Sequence, residues 1–263
     1  MIKEVTHVGA VLDKIWLEQH LTSLPLWQQQ AFTDFASMVA DEANTFPCIP
    51  ARTGFLSNQL RFSFIGDPRE LQSAKDLAKC LKEYGSCARA AGKYTSHAIF
   101  FETPEDMLQT FQVEDYRALF WHVLNNVSSF DEQEWPVEIP SDPSIHTWEF
   151  CFNGEPYFVF CATPAHQLRK SRHFSTLLMA LQPRWVFEEI NDKTVLGQKL
   201  KRLIRKRIEQ YDGIAGHPDL KWYGQKDNYE WKQYFLSDDE HSPSTCPFLR
   251  GSLPLTFSQE RNN

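Results

Sequence analysis

Short apolar runs of strand length alternate with amphipathic helical patterns along this 263-residue chain. Strands this short are not stable alone, so they are expected to pair in a sheet and to bury their apolar side chains against the helices. The predicted strands are Leu60 to Ile65, Ser96 to Glu102, a hairpin from Thr147 to Cys161 that turns at Asn153-Gly154, and Phe174 to Phe187 as two strands broken at Pro183.

Helical spacing of apolar residues fills most of the remaining sequence. The predicted helices run from near Ser23 to Ala43, from Asp67 to a stop at Gly85, from Thr103-Pro104 onward, through Tyr116 to Val127, and from Thr194 to Tyr211. The fold class is therefore α+β, with an antiparallel or mixed central sheet flanked by helices. We expect one domain over residues 1–257 and a loose tail over 258–263.

Charge and hydropathy exclude several classes of protein. The net charge of −7 opposes the phosphate backbone, so a nucleic-acid partner is not expected. No apolar run approaches the ~18 residues that a membrane span needs, and Met1 to Thr6 lacks the pattern of a signal peptide. We therefore expect a cytoplasmic protein, without a membrane, whose six cysteines stay reduced.

Sequence motifs of common enzymes are missing as well. The chain contains no GxSxG, GxxxxGK[ST] or GxGxxG pattern, which argues against hydrolase, kinase and dehydrogenase chemistry. It also contains no CxxC pair and no HExxH, so neither a structural zinc site nor a multi-histidine metal site is indicated.

Cys48 is the first candidate for chemistry because it stands between two prolines in Phe46-Pro47-Cys48-Ile49-Pro50. The prolines are expected to hold this segment out of helix. Thiolate ligands of heme iron favour oxygen activation, and a stiff turn of this kind suits such a ligand. The alternatives are a buried structural cysteine, or an iron ligand at His97 or His217.

Two basic clusters have a structural and a functional interpretation. The run from Lys199 to Arg207 lies on the last predicted helix, where it forms either a solvated face or a docking patch for an acidic redox partner. The run from Arg169 to His173 forms either surface charge or a clamp for carboxylates such as heme propionates.

Several short stretches resemble the YqcI/YcgG family in their order and spacing, from about residue 25 to 250. They are Phe46-Pro47-Cys48, Arg61-Phe62-Ser63-Phe64, Gln182-Pro183-Arg184-Trp185-Val186-Phe187, Trp222-Tyr223-Gly224, Glu230-Trp231-Lys232-Gln233-Tyr234-Phe235-Leu236 and Cys246-Pro247-Phe248.

The resemblance implies a heme-dependent N-oxygenase. Members of the family hydroxylate guanidine or amine nitrogens of arginine-like compounds, as in routes to guanitoxin and D-cycloserine. The resemblance thus implies heme b, dioxygen as co-substrate, and a redox partner protein or other external electron donor. Cys48 becomes the expected axial ligand and catalytic residue, facing an internal cavity.

The same resemblance suggests roles for other residues. Arg172 and Arg184 become candidates for propionate contacts, because two carboxylates that enter a protein need cationic partners. The candidate cavity walls are Trp185 and Trp231, and the candidate ligands of a substrate guanidinium are Glu102 and Glu149. Two alternative functions are a non-catalytic heme or small-ligand binding protein, such as a sensor or carrier, and an interaction protein without a cofactor.

Overall fold

The computed structural model describes residues 10–187, 194–222, 225–250 and 255–257, without the side chain of Leu196. The strands are β1 (Leu12–Asp13), β2 (Arg61–Ile65), β3 (His97–Phe101), β4 (Phe150–Phe152), β5 (Glu155–Ala162) and β6 (Leu178–Pro183). The helices are α1 (Lys14–His20), α2 (Leu26–Ala40), α3 (Ile49–Leu56), α4 (Leu71–Ala91), α5 (Glu105–Thr110), α6 (Val113–Ser128), α7 (Val195–Asp212) and α8 (Trp231–Tyr234). The predicted tail at 258–263 lies outside the described residues, and the single-domain assignment stays a prediction.

The strands form one six-stranded sheet in the order β1-β2-β3-β6-β5-β4. Only β2 and β3 pair in parallel, and α4 makes the crossover between them. The other four pairings are antiparallel, so the sheet is mixed. The α+β prediction is confirmed.

Two apolar cores cover the two faces of the sheet, because strand side chains alternate between faces. On one face, the rings of Phe62, Phe64 and Phe100 pack under α2 and α3, with Phe35 of α2 edge-on to Phe62 and Phe100 at 5.6 and 5.7 Å. On the other face, α4 and α6 cover a larger core that includes Val159 of β5. Helix α4 buries one apolar stripe and leaves the opposite stripe to solvent, whereas α6 is buried on almost all sides from Tyr116 to Val127.

Helix α4 differs from its prediction at both ends. It begins at Leu71 because the Asp67 carboxylate binds the backbone and the guanidinium of Arg69 instead of capping a helix. Gly85 does not stop it. The buried stripe continues past that position to Ala88, and the helix ends before Gly92, which has a φ of 131°. The apolar stripe therefore outweighs the low helix propensity of one internal glycine.

The proline-containing segments also differ from prediction. Pro50 lies in the first turn of α3, where a missing N–H costs nothing, so the prolines exclude only the residues before Ile49 from helix. Pro183 is the last residue of β6, and Arg184–Phe187 is a 3₁₀ turn rather than a second strand.

Strand β1 and helix α1 carry no signal strong enough for prediction. The hairpin turn is confirmed, with positive φ at Asn153 and Gly154.

Tyr234 of α8 inserts its hydroxyl between β4 and β5. The buried phenol oxygen accepts a hydrogen bond from the Phe150 N–H at 3.1 Å and donates to the Tyr157 carbonyl at 3.0 Å. Phe150 and Tyr157 stand opposite each other in the register of the two strands. The hydroxyl thus occupies a position between two backbone groups of an antiparallel pair, and it links α8 to the sheet.

Removal of this hydroxyl should destabilise the protein. In Tyr234→Phe, the Phe150 N–H and the Tyr157 carbonyl lose a buried partner, and we expect the free energy of unfolding to fall by about 1–3 kcal/mol. Tyr116→Phe is the matched control, because the Tyr116 hydroxyl is buried without a hydrogen-bond partner in the described structure. That variant should be neutral or more stable. Urea unfolding of both variants checks the prediction, and equal losses would contradict it.

Candidate active site on a half-open sheet face

One part of the sheet lacks full cover. Phe158 and Phe160 of β5 stand opposite Gln182 and Ala180 of β6, so the four side chains share one face. All four are half-buried, whereas Val159 between them is fully buried on the other face. We call these four residues the open patch. Tyr234 and Phe187 pack edge-on against Phe158 with ring centres 5.5 and 5.8 Å apart, so the patch is partly covered by aromatic side chains.

Cys48 lies at the helix N-terminus beside this face. It is the N-cap residue of α3 and is half-buried. Burial raises the pKa of the thiol, while the Ala51 backbone N–H and the nearby charge of Arg172 act in the opposite direction. Helix N-termini and cations stabilise a thiolate, and an iron ion that binds the sulfur would displace its proton.

Arg172 covers part of the open patch. Its guanidinium lies 4.3 Å from the ring centre of Phe160. Nη1 donates to the carbonyl oxygens of Cys161 and Tyr234, and Nη2 donates to that of Gln233. Burial lowers its pKa to about 10. These contacts make Arg172 a part of the fold, and its predicted propionate contact stays a prediction.

Arg184 marks the other end of the open patch, two residues beyond Gln182. Its Nε lies 3.5 Å from Oε1 of Glu149, and its Nη1 lies 3.9 Å from Oε1 of Glu230. Glu149 is fully buried, and burial raises the pKa of Glu230 although Arg184 opposes this shift. Two buried carboxylates thus approach one guanidinium, which is itself one quarter exposed, at 25%.

Hydrogen bonds through the α8 segment join the two ends. Asn228 Nδ2 donates to Oε2 of Glu230 at 3.2 Å, and Gln233 Nε2 donates to Oδ1 of Asn228 at 2.8 Å. The Gln233 carbonyl in turn accepts from Arg172 at 3.0 Å. Residues far apart in the sequence therefore meet around one sheet face. Those that the sequence predicted are Cys48, Arg172, Arg184 and Glu149.

Both predicted tryptophans lie near these residues. Trp231 is buried next to Glu230, with its ring 6.3 Å from that of Trp121, and its Nε1 has no acceptor among the described residues. Trp185 is half-buried under the guanidinium of Arg89 at 4.8 Å. Their role as walls of a ligand cavity stays a prediction.

The other predicted residues lie elsewhere. Glu102 is exposed just beyond β3. His97 is fully buried in β3, where its Nε2 pairs with the Ser63 hydroxyl at 2.8 Å, and burial lowers its pKa to about 3. His217 is buried, and its Nδ1 accepts from the Asp219 N–H at 3.2 Å. The contacts of both histidines are those of core residues.

Sequence reasoning missed Glu230 and a second concave feature. Glu230 had a visible signal, since a carboxylate stands directly before the aromatic run Trp231 to Leu236. The second feature is an open pocket of about 570 Å³ whose lining joins α2, the 166–175 loop and the end of α7. The residues that line it are Asp34, Met38, His166, Gln167, Lys170, His173, Phe174, Ser175 and Tyr211.

All six cysteines are free thiols. In the described part of the chain, no cluster of three or more His, Cys, Asp or Glu side chains is placed to bind a metal ion. Within the same residues, no helix is long and apolar enough to cross a membrane.

Comparisons with known proteins agree over almost the whole chain. The chain is 52% identical to two uncharacterized Bacillus subtilis (strain 168) proteins: YcgG, with 92% of this chain and 95% of the relative aligned, and YqcI, with 94% and 96% aligned. It is 31% identical to DcsA of Streptomyces lavendulae, whose name proposes an N(omega)-hydroxy-L-arginine synthase, over 95% of this chain and 94% of DcsA. No solved structure matches. The profile of the YqcI/YcgG family matches residues 35–249, and the chain therefore belongs to that family.

Proposed function

We propose that this protein is a heme-dependent N-oxygenase that hydroxylates a nitrogen of a small amine or guanidine compound with dioxygen. The name of DcsA supports an arginine-like substrate, because it describes N-hydroxylation of L-arginine by a relative that aligns over nearly its full length. The position of Cys48, at a helix N-terminus beside the half-open aromatic sheet face, is the observation that carries the proposal.

We propose that heme b binds against the open patch. Cys48 offers a sulfur at the N-terminus of α3, and the half-buried Phe158, Phe160 and Ala180 would offer apolar contacts to a ring that displaces part of their present cover. We propose Cys48 as the axial ligand, Arg184 as a partner of a propionate, and Trp185 and Trp231 as nearby walls. When bound, heme would supply the iron at which dioxygen is activated, and a thiolate ligand favours that activation.

Glu149 and Glu230 are proposed to hold the substrate. Arg184 is itself a guanidinium beside both carboxylates, which supports their use for the same group of a substrate. If Arg184 pairs with a heme propionate, the guanidinium of the substrate can bind between Glu149 and Glu230 instead. An ammonium or guanidinium nitrogen must lose a proton before it is oxidised. Glu230, whose pKa is raised by burial, is suited to accept that proton.

Oxygen consumption separates this function from the non-catalytic alternative. The protein should take up added hemin, and with an electron donor it should consume oxygen only when a suitable amine or guanidine is present. Arginine, homoarginine and agmatine are the first compounds to test. Heme binding without substrate-dependent oxygen consumption would favour a sensor or carrier. A protein that takes up no hemin would contradict both heme functions.

The iron ligand can be tested by spectroscopy of the ferrous carbon monoxide complex. We expect the red-shifted Soret band that a thiolate ligand gives, and we expect Cys48→His to lose that shift and N-hydroxylation while it retains heme. Cys87→Ser is the matched control, because Cys87 is another half-buried thiol, located on α4. An unshifted band in the wild type would assign the iron to a different ligand.

Substrate binding should depend on Glu149 and not on Glu102. Glu149→Gln removes a buried charge that we propose to pair with the substrate, a contact worth about 1.5–3 kcal/mol. We therefore expect the dissociation constant of the substrate to rise roughly 10- to 100-fold, measured by calorimetry on the heme-loaded protein. Glu102→Gln, at an exposed position, should leave it unchanged. The reverse result would move the substrate site to the end of β3.

A further inference from the structure

Helix α7 presents an exposed face that combines positive charge with apolar side chains. Five residues lie on one side of this helix, because they are separated by three or four positions or are direct neighbours. They are Val195, Lys199, Arg202, Leu203 and Lys206. Val195 and Leu203 are 69% and 44% exposed, and the three basic residues are exposed as well. We call these five residues the α7 face.

The charges of the α7 face lack an acidic partner among the described residues. No Asp or Glu in the described part of the chain forms an ion pair with Lys199, Arg202 or Lys206. Other basic residues of α7 are used differently: Lys201 donates to the Lys221 carbonyl and Arg205 to the Leu220 carbonyl. These two turn away from the α7 face and fix the helix to the segment before α8. The helix is therefore anchored by one set of cations and exposes another.

This face contrasts with the rest of the molecule. The protein carries a net charge of −7, so three exposed cations together on one helix face are a local exception. A positive surface attracts negatively charged partners and accelerates their encounter, most strongly at low ionic strength. Exposed apolar side chains beside the charges can then make the short-range contacts of a complex.

The far end of α7 reaches the candidate active site. Tyr211 packs edge-on against Phe46 with ring centres 5.9 Å apart, and Phe46 precedes Cys48 by two residues. Asp212 accepts hydrogen bonds from the Ser171 backbone and hydroxyl, next to Arg172. A protein bound along α7 would therefore lie next to the segments that carry Cys48 and Arg172.

We infer that the α7 face is the docking surface for an acidic redox protein that delivers electrons to the active site. The inference rests on the proposed function, since oxygenation of a nitrogen with dioxygen consumes two electrons from outside: one oxygen atom enters the product and the other, with two protons, leaves as water. The donor would be a small iron–sulfur or flavin protein with a carboxylate-rich surface.

Stopped-flow reduction of the heme-loaded protein tests the docking surface. The donor is a reduced, acidic [2Fe–2S] ferredoxin, and the variant is the triple Lys199→Glu, Arg202→Glu, Lys206→Glu. We expect its second-order rate constant of reduction to fall at least about tenfold at low salt, and the wild-type rate to fall as salt rises. Reduction by dithionite, a small reductant, should stay the same in both proteins.

The matched control carries the same change in net charge elsewhere. Lys75→Glu, Lys79→Glu and Lys93→Glu alter three exposed lysines on α4 and in the turn after it. This variant should keep most of the wild-type rate, which would separate a local docking surface from a net-charge effect. Equal loss in both triple variants would overturn the inference. So would a wild type that dithionite reduces but the ferredoxin does not.

Two further results have defined meanings. If the α7 triple variant is reduced normally but loses binding to anionic vesicles or to DNA that the wild type shows, the face serves a different partner and the inference is wrong. If the wild type takes up no hemin, the proposed function has failed. The α7 inference then fails as well. A failure of docking alone differs, because the wild type would still take up hemin and be reduced by dithionite.

Discussion

The candidate site depends on one buried cation. Arg172 donates to carbonyl oxygens of β5 and of the α8 segment at the same time, and it covers the Phe160 ring of the open patch. Without it, those carbonyls would lack partners in a place that water does not reach, and buried unpaired polar groups are costly. The guanidinium suits this task because its rigid fork of donors can serve several acceptors at once. Arg172 thus fixes β5 to the residues that lead to Glu230.

The buried charges around the open patch are unusual for their number. Glu149, Glu230 and Arg172 are all buried, and Arg184 is mostly buried. Desolvation acts against two of these charges, since burial raises the pKa of Glu230 and lowers the pKa of Arg172. Protein cores rarely keep so many ionisable groups close together unless the groups serve chemistry or recognition. On the opposite face of the same strands, Val159, Cys161, Met179 and Leu181 belong to the larger apolar core.

Sequence patterns predicted the elements that follow local rules. The Asn153-Gly154 turn and the strands β2 and β3 could be predicted because turn chemistry and apolar runs are local signals. The extension of α4 through Gly85 could not, since it depends on a core that only the folded chain provides. For the site, Cys48, Arg172, Arg184 and Glu149 were identified one by one, partly through family resemblance. Their arrangement around the open patch depends on strand register. Glu230 was missed because the aromatic run that follows it gives no sign that its carboxylate approaches Arg184.

The Tyr234 hydroxyl has a consequence for how this protein can open. Because it stands between the Phe150 N–H and the Tyr157 carbonyl, α8 cannot leave the sheet unless the β4–β5 pair also loses that bridge. Motion of α8 and fraying of the edge strand are therefore a single cooperative event with one shared free-energy cost, and not two independent fluctuations. Glu230 immediately precedes α8, so access to the buried carboxylates is coupled to the integrity of the sheet edge. Amide hydrogen exchange at Phe150 then reports directly on the opening of the site.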